Sequence, residues 1–479
     1  MNRAVMSTRL TVLSLILGAS LSFVGAAVER QPNILLIMAD DLGIRDLECY
    51  GSDYYRTPHL DELSGQGMRF TRAYAACAVC SPTRASLLTG RSPHRVRLTD
   101  ALPFDRLFDN PKMVPPDHLK ELPSELPTFA KALRSVGYRT AIFGKWHLGN
   151  EYQFFTKGGH AAYGFDEAFD TSGKEKARDK GARELTERTV QFLEDNRKQP
   201  FMLCLMHHTP HVPLACPPED EALYDNVPKG RFQKNQKYAG MMSHLDQAVK
   251  TVLDKLTAVG LDDDTVVVFT SDNGGWDGVT SNKPFRGGKG TLYEGGIRVP
   301  LIVRWPGRIA AGTVCDEPVH TADFFPTFLE LAGLKLMPEA HPDGVSMLPL
   351  WSGNDVEQRT FYWHFPHRED PSSAVIEGDW KLVHQIVTGK YELFDLQADP
   401  EEEHDRAAAH PKRVEHLARV LEEHLQTTGA QRMRPNPEWD AERPKGEQKN
   451  YGIHYPAGGG TFQRVKEPRP RWFKQGNEK

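Results

Sequence analysis

The 479-residue chain has little cysteine and no charge excess, and both absences exclude classes of protein. Its six cysteines are too few for a disulfide scaffold of this length. Cys77 and Cys80 have C-x-x-C spacing, but no second pair of this kind follows, so the sequence gives little support to a zinc ribbon. The formal net charge is only −5, so nothing indicates a general affinity for polyanions or a nucleic-acid partner.

Long apolar runs are also lacking after the N-terminus. Residues 10–24 form one such run, which follows Arg3 and Arg9 and precedes Gly25-Ala26-Ala27. At roughly 15 residues this run is short for a membrane span. The pattern predicts a signal peptide over residues 1–26, cleaved after Ala26 or Ala27, and the alternative is an uncleaved anchor. We therefore expect an exported protein, periplasmic or secreted, with no membrane span after cleavage.

What the chain does have is an alternation of short apolar runs and helical patterns from residue 32 to about 333. The runs at 33–41, 201–211, 265–275 and 298–307 are continuously apolar, which is typical of strands buried on both faces. Helices are predicted near 57–67, 126–137, 184–196 and 238–259. This alternation predicts an α/β domain with a mostly parallel central sheet covered by helices on both faces.

The sequence changes character after about residue 351. Residues 374–396 show short strands separated by turns, which predicts an antiparallel sheet. Val414, Leu417, Leu421 and Leu425 share one face of a predicted helix that we expect to pack on this sheet. The predicted organisation is a catalytic domain over 30–355, a sheet-and-helix subdomain over 356–429 and an extended tail over 430–479.

Polar side chains follow four of the predicted strands, where ligands bind in open α/β sheets. They are Asp40 and Asp41; Lys145 and His147; His207, His208 and His211; and Asp272 and Asn273. Carboxylates gathered at one edge would repel by about 4 kcal/mol for each pair near 4 Å at an effective dielectric of about 20. A divalent cation relieves this repulsion, and oxygen donors favour Ca²⁺, with Mg²⁺ as second choice, over zinc. The alternative is that these residues form a helix cap and a turn.

Positive charges occur in loops expected at the same edge. Arg84, Lys145 and Lys289, combined with a divalent cation, would outweigh the three carboxylates and suit a bound oxyanion. His147 and His211 are able to move protons near neutral pH. Cys80 precedes a predicted helix whose N-terminal amides favour a negative group. From the residues alone, its thiol remains open to interpretation as a disulfide half, a metal ligand or a nucleophile.

Several segments together resemble the type I sulfatases, which belong to the alkaline phosphatase superfamily. The segment CSPTRASLLTGR (80–91) resembles the sulfatase signature, and DDLGIRDLECYG, GKWHLG, SDNGG and GGKGTLYEGGIRVP resemble further blocks of that family in the same order. The resemblance extends from about residue 32 to about 425. It implies an alkaline phosphatase-like fold with a small C-terminal sheet domain.

The resemblance also implies roles for individual residues. Cys80 would be oxidised by a maturation enzyme to formylglycine (3-oxoalanine), whose hydrate attacks the sulfur of a sulfate ester. Asp40, Asp41, Asp272 and Asn273 would bind calcium. The catalytic and sulfate-binding groups would be Arg84, Lys145, His147, His211 and Lys289. Within this set, the resemblance favours His211 or Lys289 as the acid for the leaving alcohol and His147 as the base.

The chain departs from the family pattern in places. Ile44-Arg45 stands where many relatives have Trp-Gly, and Ser172 is only a candidate for a further sulfate ligand. His364 and His367 are weaker candidates for substrate contact than for buried or surface histidines. The sequence thus predicts an exported sulfatase acting on a sulfated small molecule or polysaccharide. The alternatives are a phosphonate or phosphodiester hydrolase, a glycan-binding relative that lacks the modification, and a structural protein with a Cys77–Cys80 disulfide.

Overall fold

A computed structural model of the chain describes residues 31–169, 171, 178–454, 463–464, 470 and 473. In this part of the chain the strands are β1 (Asn33–Asp40), β2 (Met68–Phe70), β3 (Ala73–Tyr74), β4 (Phe104–Phe108), β5 (Met113–Val114), β6 (Arg139–Gly144), β7 (Glu167–Phe169), β8 (Phe201–Pro210), β9 (Thr265–Ser271), β10 (Leu301–Arg304), β11 (Thr313–Cys315), β12 (Val319–His320), β13 (Thr360–Phe365), β14 (Ser372–Glu377), β15 (Trp380–Gln385), β16 (Lys390–Asp395), β17 (Arg434–Pro435), β18 (Gln448–His454) and β19 (Gln463–Arg464).

The α-helices of the same part are α1 (Pro58–Gln66), α2 (Cys80–Thr89), α3 (Pro93–Val96), α4 (Phe129–Ser135), α5 (Glu151–Thr156), α6 (Ala182–Asp195), α7 (Pro218–Ala222), α8 (Gln236–Ala258), α9 (Glu294–Ile297), α10 (Phe324–Leu331), α11 (Leu348–Trp351) and α12 (Pro411–Thr427). None of the described helices is both long enough and apolar enough to span a bilayer.

The central sheet has the strand order β11-β2-β10-β9-β1-β8-β6-β7. Strands β9, β1, β8, β6 and β7 run parallel, whereas β10 is antiparallel to both of its neighbours. This mixed, mostly parallel sheet confirms the predicted fold class. Because Ala39 of β1 pairs with Ser271 of β9, the acids that follow these two residues leave the sheet side by side.

Apolar layers cover both faces of this sheet. Alternate residues of β1 contribute to two separate clusters, with Leu36 in one and Leu35 in the other, and both side chains are fully buried. Helices α4 and α10 contribute to the first cluster, whereas α6 and α8 contribute to the second. Burial on both faces explains why the strands are continuously apolar rather than alternating.

The helices begin and end close to their predicted limits, and α1 receives its N-terminal hydrogen bonds from a distant part of the chain. The side chain of Thr57, the residue before α1, does not accept a capping hydrogen bond from this helix. Asp246 of α8 accepts hydrogen bonds from the backbone N–H groups of His59 and Leu60 instead. A carboxylate at the N-terminus of a helix is favourable wherever it comes from in the chain, so local sequence could not reveal this partner.

The C-terminal part forms the predicted antiparallel sheet, in the order β13-β14-β15-β16. Leu417, Leu421 and Leu425 of α12 are buried against one face, where they pack with side chains such as Val375 and Leu382. The opposite face packs against the segment that precedes α2, including Cys77 and Val79, and against Ile297. The small sheet therefore packs against the cysteine-containing turn and holds it in position.

Candidate active site

Cys80 is the first residue of α2, and every residue of this helix is buried. Val79 precedes the helix in an extended conformation, and Thr83 fixes the turn by accepting a hydrogen bond from Cys77 N (3.1 Å). The Cys80 side chain lies over the ends of the central strands, where its Sγ is 3.5 Å from Asp40 Oδ1 and 3.7 Å from Asp41 Oδ1. The turn therefore presents position 80 to the predicted acids.

Three buried carboxylates around Cys80 each contact one cationic side chain. The Lys145 Nζ donates to Asp40 Oδ2 (2.7 Å), and the Lys289 Nζ donates to Asp41 Oδ2 (2.6 Å). Arg84 donates from Nε to the third carboxylate, that of Asp272 (2.9 Å). Burial tends to raise the pKa of Asp40, but the neighbouring Lys145, His211 and Arg84 hold that pKa well below its usual range.

Cys80 itself is poorly suited to ionise as a thiol. Its side chain is buried, and burial together with the nearby Asp272 raises the pKa of the thiol to about 12. Lys145 and Lys289 oppose this shift but do not reverse it. The site therefore holds a neutral thiol among charged groups at neutral pH.

His147 has an unusual backbone conformation and a defined tautomer. Its φ angle is +55°, a left-handed value that is uncommon for a residue other than glycine. Its Nε2 lies 2.7 Å from the carbonyl oxygen of Leu102, so Nε2 carries the proton. Burial and the nearby Lys145 lower the pKa of His147 well below its usual value. Nδ1, which has no hydrogen-bond partner among the described residues, therefore carries a lone pair.

His211 lies beside the carboxylates. Its Nδ1 contacts the carbonyl oxygen of Val212 and must donate to it, while its Nε2 is 3.4 Å from Asp41 Oδ2. In the neutral ring, Nε2 and the carboxylate are two acceptors that face each other. A proton or a metal cation between them would remove this conflict.

The donor atoms of the site fit a cation. One potential ligand atom each from Asp40, Asp41, Cys80 and His211 all lie within 4.8 Å of one another. Asn273 donates from Nδ2 to Asp41 Oδ1 (2.9 Å), and its buried Oδ1 has no hydrogen-bond partner in the described structure. An orphaned buried oxygen next to three carboxylates is chemically suited to a hard divalent ion.

Comparisons with known proteins identify the family of the chain. Residues 32–334 match the family model described as Sulfatase, and residues 288–431 match the model for the C-terminal region of N-sulphoglucosamine sulphohydrolase. The chain belongs to the sulfatase family. It is 32% identical over 434 residues to human arylsulfatase A, covering 78% of this chain and 79% of the relative. It is also 32% identical over 421 residues to N-acetylgalactosamine-6-sulfatase from Canis lupus familiaris, covering 79% and 77%.

A solved structure supports the same conclusion for the fold. The crystal structure of Ps i-CgsB superimposes with a TM-score of 0.72 at 29% identity, covering 86% of this chain and 95% of that one. The predicted membership of the alkaline phosphatase superfamily is thus confirmed, and this sulfatase is an enzyme that hydrolyses sulfate esters.

In this sulfatase, some of the weaker candidates lie outside the site. His207 is buried near His244 of α8, away from the carboxylates, whereas His208 is buried at the site itself, near Lys145 and Asp40. His364 is buried between Ser373 and the Gln431 carbonyl, and His367 contacts Thr99. Ser172 lies outside the described residues. Cys77 and Cys80 are both free thiols, so the alternative of a disulfide between them is wrong.

The sequence analysis missed one residue that positions the site of the sulfatase. Lys180 is buried, has a φ angle of +51°, and donates to the carbonyl oxygen of His211. It thereby fixes the segment that carries the His211 ring. No local signal could reveal Lys180, because its partner, the His211 carbonyl, lies 31 positions later in the chain.

Proposed function

We propose that this sulfatase is exported and hydrolyses sulfate esters of a carbohydrate, using formylglycine at position 80 and a calcium ion. The observation that carries the proposal is the gathering of Asp40, Asp41 and Asp272, each paired with one cationic side chain, around a buried residue at a helix N-terminus. These three pairs balance the charges of the site when no ligand is bound. The same carboxylates are suited to hold a metal ion, and the same cationic side chains are suited to hold an anion.

The calcium ligands in this proposal are Asp40, Asp41, Asp272 and Asn273. The unpartnered Oδ1 of Asn273 and the facing acceptors of His211 and Asp41 support a cation here. When bound, calcium would supply positive charge that stabilises an oxyanion. Its charge would also compensate the carboxylates, so that Lys145 and Lys289 would be available to a sulfate group.

Two properties of position 80 support its conversion to formylglycine. A buried thiol with a pKa of about 12 is a poor nucleophile, and thiol sulfur is a soft donor among oxygen ligands that suit hard cations. As formylglycine, this position would supply an oxygen nucleophile in place of sulfur. A maturation enzyme for this modification is part of the proposal.

The remaining side chains have separate roles. Arg84, Lys145 and Lys289 bind and orient the sulfate, since they provide three positive charges at its predicted position. His147 accepts a proton at Nδ1, because its Nε2 proton is committed to the Leu102 carbonyl. His211 or Lys289 donates a proton to the leaving alcohol, and both already contact Asp41.

The names of relatives support a carbohydrate substrate, since one of them is an N-acetylgalactosamine-6-sulfatase. The apolar N-terminal segment with its small-residue end supports export. The domain limits at 355/356 and 429/430 are proposed on the change in sequence character.

Two measurements on native protein test the proposal. Mass spectrometry of the peptide containing Cys80 is expected to show formylglycine, and an unmodified thiol in active enzyme would contradict it. Because a sulfate monoester has one negative charge and a phosphate monoester about −1.5 to −2 near pH 7, we expect a higher kcat/KM for 4-nitrophenyl sulfate than for the matching phosphate mono- and diesters. The reverse preference would support the phosphonate or phosphodiester alternative.

A further inference from the structure

A second concave surface lies between the catalytic domain and the C-terminal sheet. It is a groove of about 300 Å³ lined by residues of three segments, 106–115, 368–388 and 433–445. Trp439 stands on one wall with 44% of its surface exposed, and the Lys112 ammonium lies 5.7 Å from the centre of its ring. An exposed indole of this kind offers a flat apolar face to a ligand.

The wall that carries Trp439 is held in place by two buried amide side chains. Asn110 donates from Nδ2 to the carbonyl oxygens of Asp440 (2.8 Å) and Arg443 (2.9 Å). Asn436 donates from Nδ2 to the carbonyl oxygen of Pro111 (2.8 Å). Strand β17 also pairs with β5. These hydrogen bonds therefore fix this part of the C-terminal segment as a wall of the groove, although its sequence shows no strand periodicity.

The groove is basic even though the chain as a whole is acidic. Five basic residues and two acidic residues line it, whereas the formal net charge of the chain is −5. The basic residues are Arg106, Lys112, Arg368, Arg443 and Lys445. Such a local concentration of positive charge attracts anions irrespective of the net charge of the chain.

Two of these basic residues share one buried carboxylate. Arg368 donates from Nε to Asp100 Oδ1 (2.8 Å), while Arg106 Nη1 is 3.9 Å from Asp100 Oδ2. Arg368 adopts a left-handed backbone with φ of +65°, a strained conformation that places its guanidinium here. One carboxylate cannot neutralise two guanidiniums, so the cluster of Asp100, Arg106 and Arg368 carries a net positive charge at the inner end of the groove.

The same loop connects the groove to the catalytic pocket. Arg106 donates to the carbonyl oxygen of Ala101 (3.0 Å). The next residue, Leu102, accepts the proton of His147 Nε2 (2.7 Å) and donates from its N–H to Ser81 Oγ (3.1 Å). The inner end of the groove is thus one short loop away from His147 and from the helix that carries Cys80.

We propose that this groove binds a second anionic group, a sulfate or a carboxylate, of an oligosaccharide whose neighbouring sulfate ester occupies the catalytic pocket. Arg106 and Arg368 contact that anion, Trp439 stacks on a sugar ring, and Lys112 and Arg443 extend the binding surface outward. The substrate class is therefore a multiply charged oligosaccharide rather than an isolated monosulfated sugar. This inference rests on the proposed function, because the first sulfate is assigned to the catalytic pocket.

Direct binding tests the proposal without depending on turnover. The full chain carrying Cys80→Ala is titrated calorimetrically with three hexasaccharides: κ-carrageenan (sulfate only), chondroitin 6-sulfate (sulfate and carboxylate) and neutral agarose. The test variant adds Lys112→Ala, Trp439→Ala and Arg443→Ala. The matched control adds Lys335→Ala, which removes an exposed lysine outside the groove. Circular dichroism and thermal unfolding establish that each variant is folded.

We expect the triple change to weaken binding of at least one anionic hexasaccharide about tenfold. Each exposed charge contact contributes modestly to the binding free energy, and stacking on the indole contributes further. Loss for both anionic probes, or for carrageenan alone, assigns the second anion as sulfate, which both probes carry, and loss for chondroitin sulfate alone assigns it as carboxylate. The control is expected to bind within about twofold of its parent. Unchanged binding of both anionic probes, or an equal loss for the neutral probe, would overturn the proposal. Failure of the proposed function is recognised separately, as an inability of the mature wild-type enzyme to hydrolyse any sulfate ester.

Discussion

Arg84 donates from Nε to Asp272 Oδ2 at 2.9 Å, and its Nη2 reaches the same oxygen at 2.7 Å. Both side chains are buried, with 3% and 0% of their surfaces exposed. Burial, and after it the neighbouring Asp40, raise the pKa of Asp272 to about 6, although Arg84 acts in the opposite direction. This pair joins the helix of Cys80 to the end of strand β9, so it supports the site mechanically as well as electrostatically.

The first prediction concerns this pair. In metal-free protein, Asp272→Asn should reduce the free energy of unfolding by about 3 kcal/mol, because it leaves a buried guanidinium without its main partner. Arg84→Gln should have a similar effect. The double variant should lose clearly less free energy of unfolding than the two single variants lose together, since each single change leaves the other group buried without its partner. Denaturant unfolding measures all three, and strictly additive losses would show that the pair is not coupled.

The second prediction concerns calcium. Removing metal with a chelator should abolish sulfate-ester hydrolysis and lower the unfolding temperature, and calcium should restore both. At a free calcium concentration of 100 times Kd, the gain is about 2.7 kcal/mol for a single site. Asp41→Asn should lose most of this gain, because it removes one charged ligand.

Asp46→Asn is the matched control for that experiment. Asp46 is also a buried acid, but its carboxylate accepts hydrogen bonds from Tyr238 (2.7 Å) and Thr280 (2.6 Å). This variant should unfold at a lower temperature than the wild type. Calcium should nevertheless raise its unfolding temperature by as much as it raises that of the wild type. A calcium increment in Asp41→Asn equal to that of the wild type would place the ion elsewhere.

The gathering of the site at one sheet edge was predictable from the sequence. Parallel strands end at the same edge, so Asp40, Lys145, His208 and Asp272 had to emerge near one another. The individual pairs were not predictable, because Asp41 and Lys289 are 248 positions apart. The left-handed backbones of Asp41 and His147 were not predictable either, because Asp and His enter this region more often than most residues but still only rarely.

The C-terminal segment shows a different limit of sequence analysis. Strands β17 and β18 lie in a stretch rich in proline and charge, and they pair with β5 and β4 respectively. Short strands without an apolar pattern form only where a partner edge is available. Because the partner edges lie more than 300 residues earlier in the chain, neither the pairing nor the groove behind Trp439 could be predicted.

The third prediction concerns a buried triad that links the small sheet to the loop of Lys289. Lys381 is fully buried, and its Nζ lies 2.9 Å from Glu294 Oε1 and 2.8 Å from Glu402 Oε1. Glu294 begins helix α9, five residues after Lys289. Lys381→Met should remove the ammonium between two buried carboxylates, of which Glu294 keeps Tyr74 (3.0 Å) and Arg298 (3.3 Å) as partners, and the resulting repulsion should shift this loop. We expect kcat for 4-nitrophenyl sulfate to fall at least about tenfold in protein that is still folded.

Lys412→Met is the control, because Lys412 is an exposed residue of α12 on the same C-terminal unit. The unfolding temperature and kcat are measured on both variants. If Lys381→Met lowers the unfolding temperature but leaves kcat unchanged, the triad is only structural and has no role in positioning Lys289.

The fourth prediction concerns acid stability. His364 is buried between Ser373 and the Gln431 carbonyl, and burial lowers its pKa to about 4. The unfolded residue titrates near 6.5. Between these two values the unfolded state binds more protons, so stability falls as the pH decreases from about 6.5 to 4. His364 alone contributes up to about 3 kcal/mol to this loss.

The unfolding temperature of His364→Gln should therefore depend less on pH over this window than that of the wild type. His404→Gln is the control, since its side chain is 64% exposed. The same direction applies to other buried or half-buried histidines whose pKa is lowered: His207, His208, His320, His367 and His424. A wild-type protein that became more stable on acidification through this window would contradict the argument.

The last prediction concerns Cys80 and uses a serine in its place. Cys80→Ser presents one hydroxyl at the start of α2, beside Asp40 and Asp41 and within the same set of cations. That hydroxyl is able to attack the sulfur of a sulfate ester slowly, with transfer of the sulfuryl group to serine and release of the alcohol. A serine carbon bears no second oxygen that could expel the sulfate, so the modified side chain should persist.

Intact-mass analysis after incubation with 4-nitrophenyl sulfate should therefore show one added SO₃ group and at most one equivalent of nitrophenol per chain. Cys80→Ala is the matched control: it has no hydroxyl, keeps a small side chain at the same buried position, and should show neither product. Sustained release of nitrophenol by Cys80→Ser, beyond one equivalent, would mean that a single hydroxyl completes the cycle. That result would show that turnover does not require formylglycine at position 80, even if mass spectrometry finds this modification in native protein.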